Sequence, residues 1–161
     1  MENELTVLSK VSHPNIMRVF ELMEDDTNYY IVTEFIQGGN LKDKKMPLSE
    51  KSTRALIKQV LMALTYMHET VKISHRDIKL ENVLCDGEVV KLTDFSFAAH
   101  FKPNEQFELP LGTPHYMSPE IVCQEEYDHR CDTWAVGILT YILLFGVPPF
   151  NSVKNDREEL D

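Results

Sequence analysis

Apolar side chains recur along this chain with two different spacings. Ile16–Leu22 and Tyr29–Phe35 are short runs rich in β-branched and aromatic residues. The polar stretch Glu24-Asp25-Asp26-Thr27-Asn28 lies between them, which predicts a β-hairpin. From Ser49 to about Glu69 the spacing changes to that of a helix. Ile57, Val60, Leu61, Leu64 and Met67 fall on one stripe, with Ser49 placed to cap the first turn and Leu48 to staple it. Leu5, Leu8 and Val11 repeat the helical spacing over residues 4–11, and Pro14 ends it. Val83–Cys85 and Val89–Leu92 flank Asp86-Gly87, a strong hairpin signal. Thr133–Phe145 is apolar on all sides, which predicts a helix buried at the centre of a domain. Gln37-Gly38-Gly39-Asn40 reads as a loop, residues 93–119 as a long irregular segment carrying Pro103, Pro110, Pro114 and Pro119, and Lys154–Asp161 as a charged, solvated tail. A structureless segment as long as 93–119 within a domain is normally functional. The predicted order is helix, two strands, helix, short strands, long loop, helix, an α+β class.

Composition narrows the function classes. At 161 residues and 43% hydrophobic, the chain can bury one substantial core. Its 26 acidic against 16 basic residues leave a net charge of −10, so nucleic acid and anionic membrane, themselves negative, are not expected partners. The most apolar run, Trp134 to Phe150, is interrupted by Gly137 and Gly146 and is too short to span a bilayer. Cys85, Cys123 and Cys131 form no C-x-x-C pair, and the start carries no signal-peptide pattern. A reduced, intracellular and cytoplasmic setting is therefore expected. The histidines are scattered without an H-E-x-x-H, so no zinc site is expected.

Three blocks carry the chemistry. Residues 75–82 read His-Arg-Asp-Ile-Lys-Leu-Glu-Asn, residues 94–96 read Asp-Phe-Ser, and residues 112–120 read Gly-Thr-Pro-His-Tyr-Met-Ser-Pro-Glu. In this order and spacing they resemble the catalytic loop, metal-binding turn and activation-segment end of protein kinases. Lys79 and Thr113 match the serine/threonine type. Tyr141–Phe150 is similar to the calcium/calmodulin-dependent and calcium-dependent group.

The resemblance implies a partial protein-kinase fold. Residues 1–35 would form part of a small lobe and residues 36–150 part of a large lobe with hinge, catalytic loop, activation segment and central helix; 151–161 would be a charged tail. It implies ATP and Mg²⁺ as cofactors, and protein hydroxyls as substrate. Asp77 would accept or orient the substrate proton, Lys79 neutralise the γ-phosphate, and Thr113 bridge the two. Asn82 and Asp94 would offer oxygens to the metal. Glu34 and Ile36 would present main-chain hydrogen bonds to adenine, with Thr33 behind it and Leu84 and Leu41 on its face. Asn40 and Glu81 would sit at the nucleotide rim; Asn40 stands where related kinases often carry Glu and cannot supply the negative charge that favours arginine upstream of the target hydroxyl, which Glu81 could supply in part. Asp132 would hold the catalytic loop from below, and His75 would pack beside Phe95 and Leu8.

The departures from the family pattern set further expectations. Glu4 aligns with the family's αC glutamate, but no Gly-rich loop or V-A-I-K strand is present. Nor is there an arginine partner for Glu120. The expectation is a chain truncated at both ends that transfers phosphate weakly alone. The alternative is a pseudokinase or fragment acting as a binding module without transfer. Ser96 replaces the usual glycine of the metal-binding turn. No Ser, Thr or Tyr lies between Ser96 and Thr113, so Arg76 is expected to pair with Glu105 or Glu108 rather than with a loop phosphate.

Overall fold

Asp25 closes the first hairpin. Its Oδ1 accepts from the amides of Thr27 and Asn28, both at 2.8 Å, and Oδ2 from the Tyr30 hydroxyl at 2.7 Å. These donors, Thr27 foremost, hold the exposed carboxyl well below the usual range. The strands are β1 (Val19–Glu24) and β2 (Tyr29–Thr33), antiparallel, with a bulge between Val19 and Glu21. The computed structural model describes residues 11–150. Glu4, Leu8 and the rest of the helix expected over 4–11 lie outside the described residues, Val11 excepted, as does the tail. β1 begins at Val19 rather than Ile16 because the preceding residues are used elsewhere. Ile16 bridges in parallel to Leu92, and the Met17 amide donates to the Leu92 carbonyl at 2.8 Å.

Ser49 caps helix α1 (Glu50–Thr65), its Oγ accepting from the Ser52 amide at 3.2 Å. The buried stripe is Thr53, Val60, Ala63 and Leu64, continued by Met67. Leu61 departs from the expected stripe: it is 42% exposed beside Met62, one step off the buried row. The helix also does not run unchanged to Glu69. From Tyr66 to Val71 it widens into a π-type turn, which closes at Lys72 in the left-handed conformation (φ 60°).

The chain then forms β3 (Ile73–Ser74), β4 (Val83–Asp86) and β5 (Val89–Leu92), the last two paired as expected around Gly87 at φ 60°. The stretch expected to be irregular is more ordered than its prolines suggest. It contributes β6 (Ala99–His100), paired with β3, and helix α2 begins within it (Pro119–Val122). Helix α3 (Cys131–Phe145) ends on Gly146 at φ 77°, whose amide returns to the Ile142 carbonyl at 2.7 Å. Ala135, Val136, Ile138, Leu139, Ile142 and Leu143 enter one continuous core with Val60, Leu64, Ile78, Val83 and Leu92. The expectation of burial on all sides is corrected: Thr133, Gly137, Tyr141 and Phe145, a row at helical spacing, face outward.

Two contacts fix the hairpins against α1 and the loop at Gly38. Asn15, buried, donates through Nδ2 to Gln59 Oε1 and to the Val90 carbonyl, each at 2.9 Å. Gly38 lies so close to β4 that a Cβ would fall 2.0 Å from the Cys85 carbonyl oxygen.

Candidate active site

The backbone of residues 75–76 hangs from one buried carboxylate. Asp132, at the start of α3, accepts from the amides of His75 at 2.8 Å and Arg76 at 2.7 Å. It also accepts from the Ser74 hydroxyl at 2.9 Å and His68 Nε2 at 2.8 Å. Burial pushes its pKa up, but these donors, His68 first, outweigh it and hold the carboxyl below its ordinary value. With this anchor Arg76 takes φ 63° and the chain turns sharply into the next residue. His75 is wholly buried against Phe95, ring centroids 5.0 Å apart. Its Nδ1 accepts from the Asp77 amide at 3.3 Å and its Nε2–H donates to the Thr93 carbonyl at 3.1 Å, which is the pattern of a neutral ring. Burial lowers its pKa accordingly.

Asp77, itself buried, is the hub of the site. Oδ2 accepts from Lys79 Nζ at 2.6 Å and Asn82 Nδ2 at 3.0 Å, and Oδ1 from the Thr113 hydroxyl at 2.7 Å. Lys79 Nζ also reaches Thr113 Oγ1 at 3.0 Å. Thr113 arrives from the long segment after β6 because Gly112, at φ 127°, lets that backbone pass the Arg76 carbonyl; a Cβ there would lie at 3.1 Å from it. The Asn82 amide donates a second bond to the Asp77 carbonyl at 2.9 Å. Carboxylate, ammonium, hydroxyl and amide thus converge from two segments.

The next turn is tied to the same loop, since the Thr93 amide donates to the Asn82 carbonyl at 3.0 Å. Asp94 follows, exposed and at φ 60°, while Phe95 turns inward. Both amide hydrogens of Asn82 are committed to Asp77, which leaves its Oδ1 for another partner. Asp94 Oδ2 likewise has no bond among the described residues. Two hard oxygen donors, with no cluster of three or more His, Cys, Asp or Glu among the described residues, do not make a closed protein cage. They fit Mg²⁺, which keeps water and phosphate oxygens and takes one or two protein ligands.

The expected nucleotide residues lie along the chain from the end of β2 to β4. Glu34 is held by Lys91 at 2.7 Å and by the Arg18 amide at 2.7 Å. Burial raises its pKa, yet these contacts leave it lowered overall. Its carbonyl and the Ile36 amide take no part in hydrogen bonds among the described residues. Leu84 bridges to Asn40, the Cys85 amide donates to the Gly39 carbonyl at 2.8 Å, and Leu41 is fully buried. Asn40 Oδ1 caps the turn Leu41–Asp43 by accepting from the Asp43 amide at 3.2 Å. Glu81 is bound through Oε1 to Lys42 Nζ at 2.8 Å.

The structure overturns the pairing expected for Arg76. Its Nε donates to the Phe97 carbonyl at 2.6 Å and its guanidinium lies 4.6 Å from the Phe107 ring centroid. Glu105 is occupied locally, accepting from the Lys102 amide at 2.6 Å. The partnership of His68 with Asp132 was not evident in the sequence. The signal was a polar residue on the continuation of the buried α1 stripe, next to Met67. Nor was the partnership of Lys42 with Glu81 evident, which depends on the turn that Asn40 caps.

The protein kinase domain family matches residues 1–161. Calcium-dependent protein kinase 5 of Plasmodium berghei is 38% identical over 163 residues, covering 97% of this chain and 29% of that protein. Serine/threonine-protein kinase ULK3 of Rattus norvegicus is 39% identical over 155 residues, covering 92% of this chain and 33% of that protein. The chain therefore spans about a third or less of the length of these relatives.

Proposed function

Because this chain belongs to the protein kinase domain family, we propose that it transfers the γ-phosphoryl group of ATP, with Mg²⁺, to serine or threonine hydroxyls of proteins. The observation that carries this is Lys79 Nζ, held within hydrogen-bond distance of both Asp77 Oδ2 and Thr113 Oγ1. A transferring phosphoryl group needs in-line positioning and charge neutralisation more than covalent help. Asp77 orients the substrate hydroxyl and takes its proton as the oxygen bonds to phosphorus and the bond to the ADP oxygen breaks. Lys79 places its positive charge beside the transferring oxygens. Asn82 and Asp94 would hold Mg²⁺, which would supply charge neutralisation to the nucleotide phosphates. The Glu34 carbonyl and Ile36 amide receive adenine against Leu84, and Asn40 and Glu81 border the ribose and the incoming peptide.

The three cysteines, two of them buried, and all free, suit a reducing, cytoplasmic compartment. Among the described residues no helix is long and apolar enough to cross a membrane.

The test is γ-phosphate transfer to Ser-, Thr- and Tyr-containing peptides by the chain, beside Asp77→Asn. Transfer to Ser or Thr that falls by about 10²- to 10⁴-fold in the variant supports the proposal. Nucleotide binding without transfer would favour the binding-module alternative.

A further inference from the structure

The loop between β6 and α2 is pinned at Phe107. Its amide donates to the Tyr127 carbonyl at 2.6 Å, and the Tyr127 amide donates back to its carbonyl at 3.1 Å. The two rings lie 5.4 Å apart, and the Tyr127 hydroxyl donates to the Leu109 carbonyl at 2.7 Å. Tyr127 is buried with Ile121 and Cys131, and Phe107 and Met117 pack against that cluster. Held in this way, Phe107 offers the face of its ring to Arg76, whose guanidinium carbon lies 4.6 Å from the ring centroid. Arg76 makes no ion pair among the described residues. Its Nε donates to the Phe97 carbonyl at 2.6 Å instead.

Arg76 is also a point of backbone strain. It sits at φ 63°, directly before Asp77. A non-glycine residue keeps that conformation only where its surroundings over-determine it. Asp132 holds the backbone side of the turn through the Arg76 amide at 2.7 Å. The Phe97 carbonyl and the Phe107 ring hold the side chain.

We infer that Phe107 is a positioning residue for Asp77: its ring face holds the Arg76 guanidinium, and Arg76 holds the turn that presents the Asp77 carboxylate. The inference rests on the phosphoryl-transfer proposal, in which Asp77 orients the acceptor hydroxyl. The attraction comes from the negative face of an aromatic ring, is strongest for tryptophan, and is absent from an aliphatic side chain. A small displacement of Asp77 affects the transfer step, whereas nucleotide binding does not depend on it. Losing the ring face therefore lowers kcat and leaves nucleotide affinity in place.

The experiment measures γ-phosphate transfer to a Ser or Thr peptide, beside nucleotide binding, on the full chain. Wild type is compared with Phe107→Leu, Phe107→Trp, Arg76→Met and the variant carrying both Phe107→Leu and Arg76→Met, with circular dichroism confirming that each is folded. Phe107→Leu keeps an apolar contact with the Tyr127 cluster but has no ring face, and should lower kcat by about three- to tenfold with an unchanged nucleotide dissociation constant. Phe107→Trp should retain the wild-type kcat. Arg76→Met tests the same pair from the other side, and should lower kcat at least as far as Phe107→Leu does. The double variant should be no slower than Arg76→Met alone, because both changes remove one interaction. A wild-type kcat in Phe107→Leu or in Arg76→Met, a Phe107→Trp as slow as Phe107→Leu, or losses that multiply in the double variant overturns the inference while leaving the phosphoryl-transfer proposal standing. A wild type that transfers no phosphate overturns that proposal and the inference with it.

Discussion

Thr113 donates a 2.7 Å hydrogen bond to Oδ1 of Asp77 from 36 positions further along the chain, and accepts one of 3.0 Å from Lys79 Nζ. The hydroxyl thereby links the segment after β6 to the pair proposed to orient the acceptor and neutralise the phosphate. Thr113→Ala removes the bridge and lets Lys79 settle wholly on Asp77. Transfer should fall by about 10²-fold, the order expected from a displacement near 1 Å, with nucleotide affinity nearly unchanged. Thr113→Ser keeps the hydroxyl and should retain most of the activity. Single-turnover transfer rates measured beside nucleotide binding check both.

Asn15 serves stability rather than chemistry. It binds the Val90 carbonyl and Gln59 Oε1, and Gln59 Oε1 also accepts from the Val90 amide at 3.1 Å. Asn15→Leu keeps the branched shape, at somewhat greater bulk, but leaves the Val90 carbonyl buried without its side-chain donor. The expected loss is about 2 kcal/mol, read as a lower urea midpoint with an unchanged slope.

The elements with one clear period were legible in the chain: both hairpins, α1 with its Ser49 cap, and α3. What escaped depends on tertiary context. Leu61 fits the α1 period as well as Leu64 does, and only the position of the neighbouring elements decides which of them is covered. β6 is two residues long and exists because the Lys72 carbonyl receives the Phe101 amide, a pairing that no local pattern announces. The convergence of Asp77, Lys79, Asn82 and Thr113 was implied by the resemblance of the three blocks to a known family, not by any local pattern. The partner of Arg76 was not, because two nearby glutamates look adequate in sequence. The structure instead offers a carbonyl and an aromatic face.

Lys42 and Glu81 set a prediction for substrate choice. Glu81 Oε1 is bound by Lys42 at 2.8 Å, while its Oε2 is buried with no partner among the described residues. Burial pushes the Glu81 pKa up, but Lys42 and the nearby charge of Lys79 leave it lowered, so it stays ionised. Lys42 is an exposed side chain that offsets the charge a basic peptide residue would seek. Lys42→Ala should raise kcat/KM for a peptide with arginine upstream of the target hydroxyl by about three- to tenfold relative to its alanine counterpart. The gain should shrink as salt is added. An equal change for both peptides would show that Lys42 does not mask Glu81.

His75 gives the fold a dependence on acid whose sign is set by burial. Burial depresses its pKa below the ordinary 6.5, so on acidification the unfolded chain binds a proton before the folded one does. Stability is therefore full above about pH 6.5 and is lost as pH falls toward the lower folded pKa, by at most about 1.4 kcal/mol per pH unit. Asp132, also lowered, acts only below its ordinary value of 3.8 and does not overlap this window. His13 and His129 are lowered too, by partial burial, and contribute slope of the same sign. His75→Phe keeps the packing on Phe95 but removes the acceptor for the Asp77 amide and the donor to the Thr93 carbonyl. It should cost about 1–2 kcal/mol at pH 7.5. Since the other histidines remain in the variant, the difference between the two proteins isolates His75. Urea unfolding at pH 7.5, 6.5 and 5.5 should show the wild-type and variant curves converging on acidification. Parallel curves would mean that His75 titrates alike in the folded and unfolded chains.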